Sequence, residues 1–212
     1  MRAGLLLLSF VAGSAWATPL FVPAVASTAT DTSTVKSVAA TCPAGRVAIS
    51  GGAQITGNGQ GVTLTTSGPE GAPTAPNQWY GVAIGHGGTG SWGLTVNALC
   101  AVPAVAQQIQ VATVTRNASA GATFVDAFAS CPAGTSIIAG GARVYGAIDG
   151  AALTTSGPEG TTQWYGVATI LPNVNTGMRV DAFCLPDAVW NQRITVSTSN
   201  ASPAGEAFDV DT

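Results

Sequence analysis

The stretch LTTSGPEG occurs twice in this chain of 212 residues without a single change, at Leu64–Gly71 and again at Leu153–Gly160. Its Gly-Pro-Glu-Gly half fits a type I turn, in which proline presets φ at the second position and glycine suits the fourth. The octapeptide therefore predicts a strand that ends in a hairpin turn, joining VTLTTS (Val62–Ser67) to the QWYGVA that follows it.

Turn chemistry does not explain the acid at the third turn position. That residue is Glu70 in the first copy and Glu159 in the second, although the third position of such a turn accepts most residues. A recent duplication, or a hydrogen bond to a nearby amide, explains the repeated acid without a ligand. The other explanation is that both glutamates contact one, so both are candidate ligand-binding residues.

The sequence around the octapeptide is repeated as well. CPAGRVAISGGAQI (Cys42–Ile55) aligns with CPAGTSIIAGGARV (Cys131–Val144), and QWYGVA recurs at Gln78–Ala83 and Gln163–Ala168. Each copy closes on a cysteine, in VNALC and VDAFC. The chain therefore contains two tandem, homologous units.

A third, partial copy follows the second unit. The segment Leu20–Cys42 precedes the first body, Ile109–Cys131 precedes the second at the same offset, and Ile194–Thr212 begins the pattern again and then stops. These offsets divide the chain into a signal peptide (1–17), a first β repeat with its N-terminal hairpin segment (18–108), a second β repeat (109–193) and the start of a third (194–212).

Both units are predicted to be all-β. Short runs of β-branched and aromatic residues are bounded by Gly, Pro, Asn and Ser, and no window shows the 3.6-residue period of a capped helix. This pattern predicts antiparallel strands in a sandwich- or barrel-like architecture with almost no helix. The pairs Gly51-Gly52 and Gly140-Gly141 lie inside strand-like runs and indicate a bulge or a close backbone approach.

The four cysteines allow three pairings. Because each unit begins and ends with one, the parsimonious prediction is Cys42 with Cys100 and Cys131 with Cys184. No Cys-x-x-Cys motif and no histidine lies near any of them, so we predict neither a metal site nor a cofactor.

The N-terminus has the pattern of an export signal. Arg2 provides a positive charge, Gly4–Gly13 a short apolar run, and Ala15–Ala17 a small-x-small cleavage site. A membrane anchor is the alternative, but the run is far shorter than the roughly 20 residues of a spanning helix. We predict a secreted, periplasmic or cell-surface protein with no transmembrane segment in the mature chain and with its cysteines in an oxidising compartment.

Charge excludes one class of partner. Charged residues make up 8% of the chain, the formal net charge is -3, and the seven basic residues are not clustered. Such a surface has no electrostatic footprint for a phosphate backbone, so nucleic acid is not an expected partner.

The aromatic pairs of QWYGVA are candidate binding residues. Strand alternation places Trp79 on one face and Tyr80, with Val82, on the other, and Trp164 and Tyr165 repeat this arrangement. If the Tyr80 face is the core, the two indoles lie over glycine on the outer side as an apolar platform. Alternatively, each tryptophan covers the backbone of a neighbouring strand, or both faces are buried.

Catalytic groups are hard to assemble, and we predict that the protein is not an enzyme. His86 is the only histidine, in a glycine-rich loop absent from the second unit, and no Gly-x-Ser-x-Gly elbow occurs. Glu70, Glu159, Asp126 and Asp181 could pair as carboxylates, but an acid repeated once per unit, as Glu70 and Glu159 are, is what a structural repeat produces. The VDAF acids more often cap amides or protect a strand edge than bind calcium.

The order of these motifs resembles that of small secreted bacterial β-repeat domains that begin Cys-Pro-x-Gly and end in a short strand plus cysteine. The resemblance covers Cys42–Cys100 and Cys131–Cys184 and rests on turn and disulfide residues. It implies an exported, disulfide-closed β module without a settled activity.

Two function classes are compatible with these features. The first is a structural or assembly protein in which Ile194–Thr212 and Leu20–Thr41 complement each other or a neighbouring molecule by strand addition. The second is a carbohydrate or surface-ligand binding module that uses the paired Trp and Tyr positions, with a surface glycan as partner. We expect the first class, a structural or assembly protein.

Overall fold

The computed structural model describes residues 19–72, 75–86, 90–172 and 175–190. The predicted signal peptide and the predicted third segment lie outside these residues. Twelve strands and two single helical turns follow one another in this part of the chain. They are β1 (Phe21–Ser27), β2 (Val35–Thr41), β3 (Val47–Gly57), β4 (Val62–Ala72), β5 (Ala75–Gly85), β6 (Trp92–Ala101), α1 (Pro103–Ala106), β7 (Gln110–Asn117), β8 (Phe124–Ser130), β9 (Thr135–Gly146), β10 (Ala151–Glu159), β11 (Gln163–Ile170), β12 (Thr176–Pro186) and α2 (Asp187–Trp190), with a 3-10 turn at Ile148–Gly150.

The strands form three antiparallel sheets, which confirms the predicted all-β class. Their orders are β1-β6-β3, β10-β11-β8, and a six-stranded sheet β2-β5-β4-β9-β12-β7. In the first half of the chain β1-β6-β3 packs on β2-β5-β4, and in the second half β10-β11-β8 packs on β9-β12-β7. Each half is therefore a small sandwich with the same strand order, and one sheet of each sandwich joins the other in the six-stranded sheet.

Disulfides close both sandwiches as predicted. Cys42 follows β2 and bonds Cys100 on β6, while Cys131 follows β8 and bonds Cys184 on β12. Each bond therefore ties the two layers of its own sandwich together. Closing loops of 58 and 53 residues stabilises each half by about 4 kcal/mol in the chain-entropy model.

Tryptophan packs on glycine in the centre of each sandwich, which decides between the two alternatives for Trp79 against the outward position. Its side chain is 0% exposed, and a Cβ on Gly51 of β3 would overlap the indole ring. Trp164 is half-buried and lies over Gly140 of β9 in the same manner. The glycines face the indoles because nothing larger fits between them. Small residues beside tryptophan here indicate a tightly packed face, so the alternative that the indoles cover neighbouring backbone is correct.

The predicted turn within Gly-Pro-Glu-Gly is also wrong, although the hairpins that it was meant to connect exist. In the first copy Pro69 and Glu70 belong to β4 and pair with Trp79 and Gln78 of β5. In the second copy Glu159 is the last residue of β10, and the turn begins at Gly160, whose φ is +65°. Proline is tolerated in these strands where no partner needs its missing N–H.

The tryptophan contact predicts that alanine destabilises the protein at one glycine and not at another. Gly140→Ala places a Cβ into the Trp164 ring and 2.6 Å from the carbonyl oxygen of Asp181, so we expect a loss of about 1–3 kcal/mol in the free energy of unfolding. Gly157→Ala is the matched control, since its Cβ meets nothing within 4 Å. Urea unfolding of the oxidised proteins measures both, and equal losses would contradict the proposed packing.

Candidate functional site

The two identical octapeptides lie in different environments. In the first copy every residue from Leu64 to Pro69 is buried, because β4 lies between β5 and β9 in the six-stranded sheet. In the second copy β10 is an edge strand of its sheet, and Thr155, Pro158 and Glu159 are exposed. One sequence therefore forms an internal junction in one half and an open strand edge in the other.

A short ladder between β4 and β9 joins the two sandwiches. Thr66 pairs with Arg143 and Ser67 with Ala142. The next residue of β4, Gly68, lies so close to β9 that a Cβ on Gly141 would be 2.6 Å from its Cα. The close backbone approach predicted for the Gly-Gly pair is therefore found at Gly141, and the partner is the octapeptide.

The serine of the octapeptide has the same structural task in both copies. Ser67 Oγ accepts a hydrogen bond of 3.2 Å from Trp79 Nε1, and Ser156 Oγ accepts one of 3.0 Å from Trp164 Nε1. An unpaired polar group costs free energy when it is buried, so these bonds stabilise the buried positions of the two indoles. The hydrogen bond to tryptophan therefore explains this serine in each copy, and no ligand on the outer surface of the strand is needed to explain it.

A buried charge cluster lies beside the junction. Asp181 is 1% exposed and accepts hydrogen bonds from Arg179 Nε at 2.9 Å, Arg179 Nη2 at 2.7 Å and Thr113 Oγ1 at 2.6 Å. Arg143 Nη2 is 4.0 Å from Asp181 Oδ2 and donates to the carbonyl oxygen of Pro69. The cluster therefore connects β12 and β9 to the octapeptide on β4.

Burial is the main cause that lowers the pKa of Arg143, and the neighbouring Arg179 lowers it further, whereas Asp181 and Glu70 raise it. An arginine remains cationic under any physiological condition. Glu70 also accepts a hydrogen bond of 3.0 Å from Gln78 Nε2. In the first copy the repeated acid thus contributes to the electrostatics of the junction, while its counterpart Glu159 is exposed at the free edge.

The cluster predicts a large difference between two aspartates that both stand in a VDAF sequence. Asp181→Ala leaves two largely buried arginines beside each other without their carboxylate. We expect a loss of about 3 kcal/mol in the free energy of unfolding. This value is at the lower end for a broken buried ion pair, because both arginines are partly solvated. Asp126→Ala removes only a surface ion pair with Arg116, which is worth at most about 1 kcal/mol. Urea titration compares them, and similar losses would refute a structural role specific to Asp181.

An exposed aromatic face covers the outer side of β8 and β11. Phe128 stacks on Tyr165 with ring centroids 4.2 Å apart and planes inclined by 21°. Phe124 is 58% exposed and Phe128 41% exposed. At the corresponding register positions of the first half stand Val35 and Ala39, so the second half alone carries this aromatic face.

The structure separates the predicted aromatic site residues. Tyr165 belongs to the aromatic face, Tyr80 is half-buried on β5, and the two tryptophans lie against glycines within their own sandwiches. Sequence reasoning missed the two phenylalanines. The alternation of FVDAF would have shown them on one face with Asp126, but only its acid was considered.

A cleft of about 340 Å³ lies near His86. It is lined by Thr63, His86, Asp149 and residues at the end of β11, and the Oγ1 of Thr63 is 3.1 Å from His86 Nε2.

Among the described residues, no three His, Cys, Asp or Glu side chains are grouped as a metal site would require. The described helices include none with the length and apolar character needed to cross a membrane.

Comparison with known proteins adds no relative: no protein-family model and no curated protein matches the chain. The functional argument therefore depends on the contacts and exposures described above. They single out two surfaces, the exposed outer residues of the second octapeptide and the aromatic face on β8 and β11.

Proposed function

We propose that the protein is an exported, non-catalytic structural or assembly protein of the cell surface or extracellular space, and that it self-associates by strand addition. The observation that carries this proposal is the six-stranded sheet. Two sandwiches are joined through the edges of their sheets, and among the described residues the outer strands of the six-stranded sheet, β2 and β7, have no strand on their second side. Open edges offer backbone hydrogen bonds to another chain.

Two further features support the proposal. The disulfides Cys42–Cys100 and Cys131–Cys184 suit an oxidising compartment, in agreement with the predicted export signal. The surface also has few charges, so little electrostatic repulsion opposes the contact of one copy with another.

The proposal predicts concentration-dependent association of the mature protein. Sedimentation velocity over a wide range of concentrations should show a rising weight-average mass that persists in high salt, because backbone pairing is not screened as ion pairs are. Deleting 194–212 distinguishes two routes. Association is lost if that segment supplies the added strand and retained if the edges of the sandwiches do. A monomer at every concentration would contradict the proposed function.

The aromatic face supports a second candidate function, the binding of a carbohydrate or another surface ligand. Stacked and exposed rings offer the flat apolar surface on which a sugar ring packs, and Arg116 and Asp126 beside them offer polar contacts. In this form the candidate uses Tyr165, Phe124 and Phe128 and does not involve Trp79, whose side chain is inaccessible.

This second candidate predicts that the double variant Phe124→Ala, Phe128→Ala binds an oligosaccharide array at least about tenfold more weakly than the parent, since each ring contributes on the order of 1 kcal/mol. Val35→Ala is the matched control, because Val35 holds the register position of Phe124 in the first half and is 51% exposed. Unchanged binding by the double variant, or no binding by the parent, would eliminate the candidate.

A further inference from the structure

We propose that the six-stranded sheet continues from one molecule into the next, through antiparallel pairing of β7 of one copy with β2 of a second copy. This inference rests on the proposed self-association and specifies the two edges that carry it. The partner is a second copy of this chain, and the contact extends the sheet that already joins the two halves of each molecule.

The molecule has four outer strands. The six-stranded sheet ends in β2 and β7. In the layer opposite, β3 and β10 both lie over the β4–β9 junction, so β1 and β8 are its outer strands. Alternate residues of an antiparallel strand direct both backbone groups to the same side, so one set bonds the neighbouring strand and the other faces the free edge. The four edges can therefore be compared by the residues that face outward.

A proline blocks the free edge of β1. Leu20 and Thr28, which flank this strand, make backbone hydrogen bonds toward β6, so the even-numbered residues between them bond β6. Pro23 thus belongs to the set that faces the free edge, where it has no N–H to offer. Proline on an edge strand protects the strand against pairing with another chain.

An arginine blocks the free edge of β8. Thr123 and Cys131, which flank this strand, make backbone hydrogen bonds toward β11, so the odd-numbered residues bond β11 and Asp126 faces the free edge. Arg116 Nη1, on β7, donates to the carbonyl oxygen of Asp126 at 3.2 Å and to its Oδ1 at 2.5 Å. The guanidinium therefore occupies the middle of this edge.

The two edges of the six-stranded sheet carry neither a proline nor an arginine of this kind. Thr34 and Cys42 flank β2 and bond toward β5, and Ala118 after β7 bonds toward β12, so odd-numbered residues face outward on both strands. These residues are Val35, Ser37, Ala39 and Thr41 on β2 and Val111, Thr113, Thr115 and Asn117 on β7. None is proline or charged, and within the part of the chain that the structure describes their backbone groups have no hydrogen-bond partner. Neither ladder contains a bulge that would twist the edge away.

A single row of partners across the sheet defines the register of the proposed contact. Each member of the row pairs with the next on the neighbouring strand, and the members are Ser37, Val82, Thr66, Arg143, Arg179 and Thr115. Directly paired residues share a face of the sheet, so Ser37 and Thr115 lie on the same face. A second copy displaced along this row brings its Ser37 opposite Thr115 of the first.

The direction of the strands and the hydrogen-bonding sets agree with this register. All neighbours in the sheet are antiparallel, and an even number of strands makes β2 and β7 run in opposite directions. The displaced copy therefore meets β7 with an antiparallel β2. Odd-numbered residues then lie opposite odd-numbered residues, so the free backbone groups of both edges point at each other, as a ladder requires.

The contact would reproduce the arrangement at the internal junction. There one layer is hydrogen-bonded through β4 and β9, while β3 and β10 of the other layer form no ladder with each other in the described residues. Between molecules β2 and β7 would form the ladder, whereas Pro23 and Arg116 keep β1 and β8 unpaired. Two different edges meet, so the contact is heterologous and leaves one free edge at each end of the assembly.

Cross-linking of two cysteine variants tests the register. A Ser37→Cys protein mixed with a Thr115→Cys protein should be joined by a short bis-thiosulfonate reagent, because directly opposed residues have Cβ atoms about 4.5–5.5 Å apart. Ser37→Cys mixed with Val25→Cys is the matched control, since Val25 is exposed on the blocked strand β1. We expect a heterodimer yield several-fold above the control, with the native disulfides intact by peptide mapping. Equal yields, or an excess of the Ser37→Cys homodimer, would overturn the pairing.

Two double variants test the same contact without a cross-link. Ser37→Lys combined with Thr115→Lys places like charges opposite each other in every contact, whereas Ser37→Lys combined with Thr115→Glu places opposite charges there. Within one molecule the two positions lie at opposite ends of the sheet. Sedimentation at low salt should show association at least about threefold weaker for the first variant than for the second. With Val25→Lys in place of Ser37→Lys, the two combinations should not differ.

These outcomes separate the inference from the proposed function. If the parent associates and both double variants associate equally, the assembly uses other surfaces and the inference fails alone. If the parent is a monomer at every concentration, the proposed function fails with it. Deleting 194–212 should leave association intact. Loss of association on that deletion would assign the added strand to the deleted segment and would also overturn the pairing of β2 with β7.

Discussion

The close contact between Gly68 on β4 and Gly141 on β9 is the constraint on which the rest of this structure depends. A Cβ on Gly141 would lie 2.6 Å from the Cα of Gly68 and 2.7 Å from the carbonyl oxygen of Ser67, distances that no side chain tolerates. Without this approach the ladder of Thr66 and Ser67 with β9 could not form. The six-stranded sheet would then separate into two three-stranded layers, each with another open edge.

The same contact explains how one octapeptide serves two purposes. Its inner residues belong to the sandwich, since the serine of each copy bonds an indole. Its outer residues, Gly68 and Pro69 in the first copy, belong to the junction. Proline ends the ladder because it has no N–H to donate, and this limits the junction to a short pairing. A sequence that both packs inward and pairs outward can be used at an internal junction and at a free edge.

Local patterns in the sequence were sufficient for the strand class, the antiparallel hairpins and both disulfides, because short β-branched runs and the cysteines that bracket each unit reflect local constraints. The face of Trp79 was not predictable. Alternation defines two faces of a strand, but Gly51 on a distant strand decides which face is the core. The turn in Gly-Pro-Glu-Gly was misplaced for a similar reason. Whether proline interrupts a strand depends on whether its free side has a partner, and that is a property of the sheet.

One difference between the homologous strands β9 and β3 follows from their environments. Arg143 crosses the internal junction as a buried charge, which is tolerable because Asp181 lies beside it and the Pro69 carbonyl accepts its hydrogen bond. On the homologous strand β3, which has a strand on only one side in the described residues, the corresponding residue is Gln54, neutral and exposed. An exposed amide keeps its hydrogen bonds to water, whereas a buried amide without a partner would cost free energy. Arginine at the junction and glutamine on the unpaired strand therefore each suit the environment that the fold gives them.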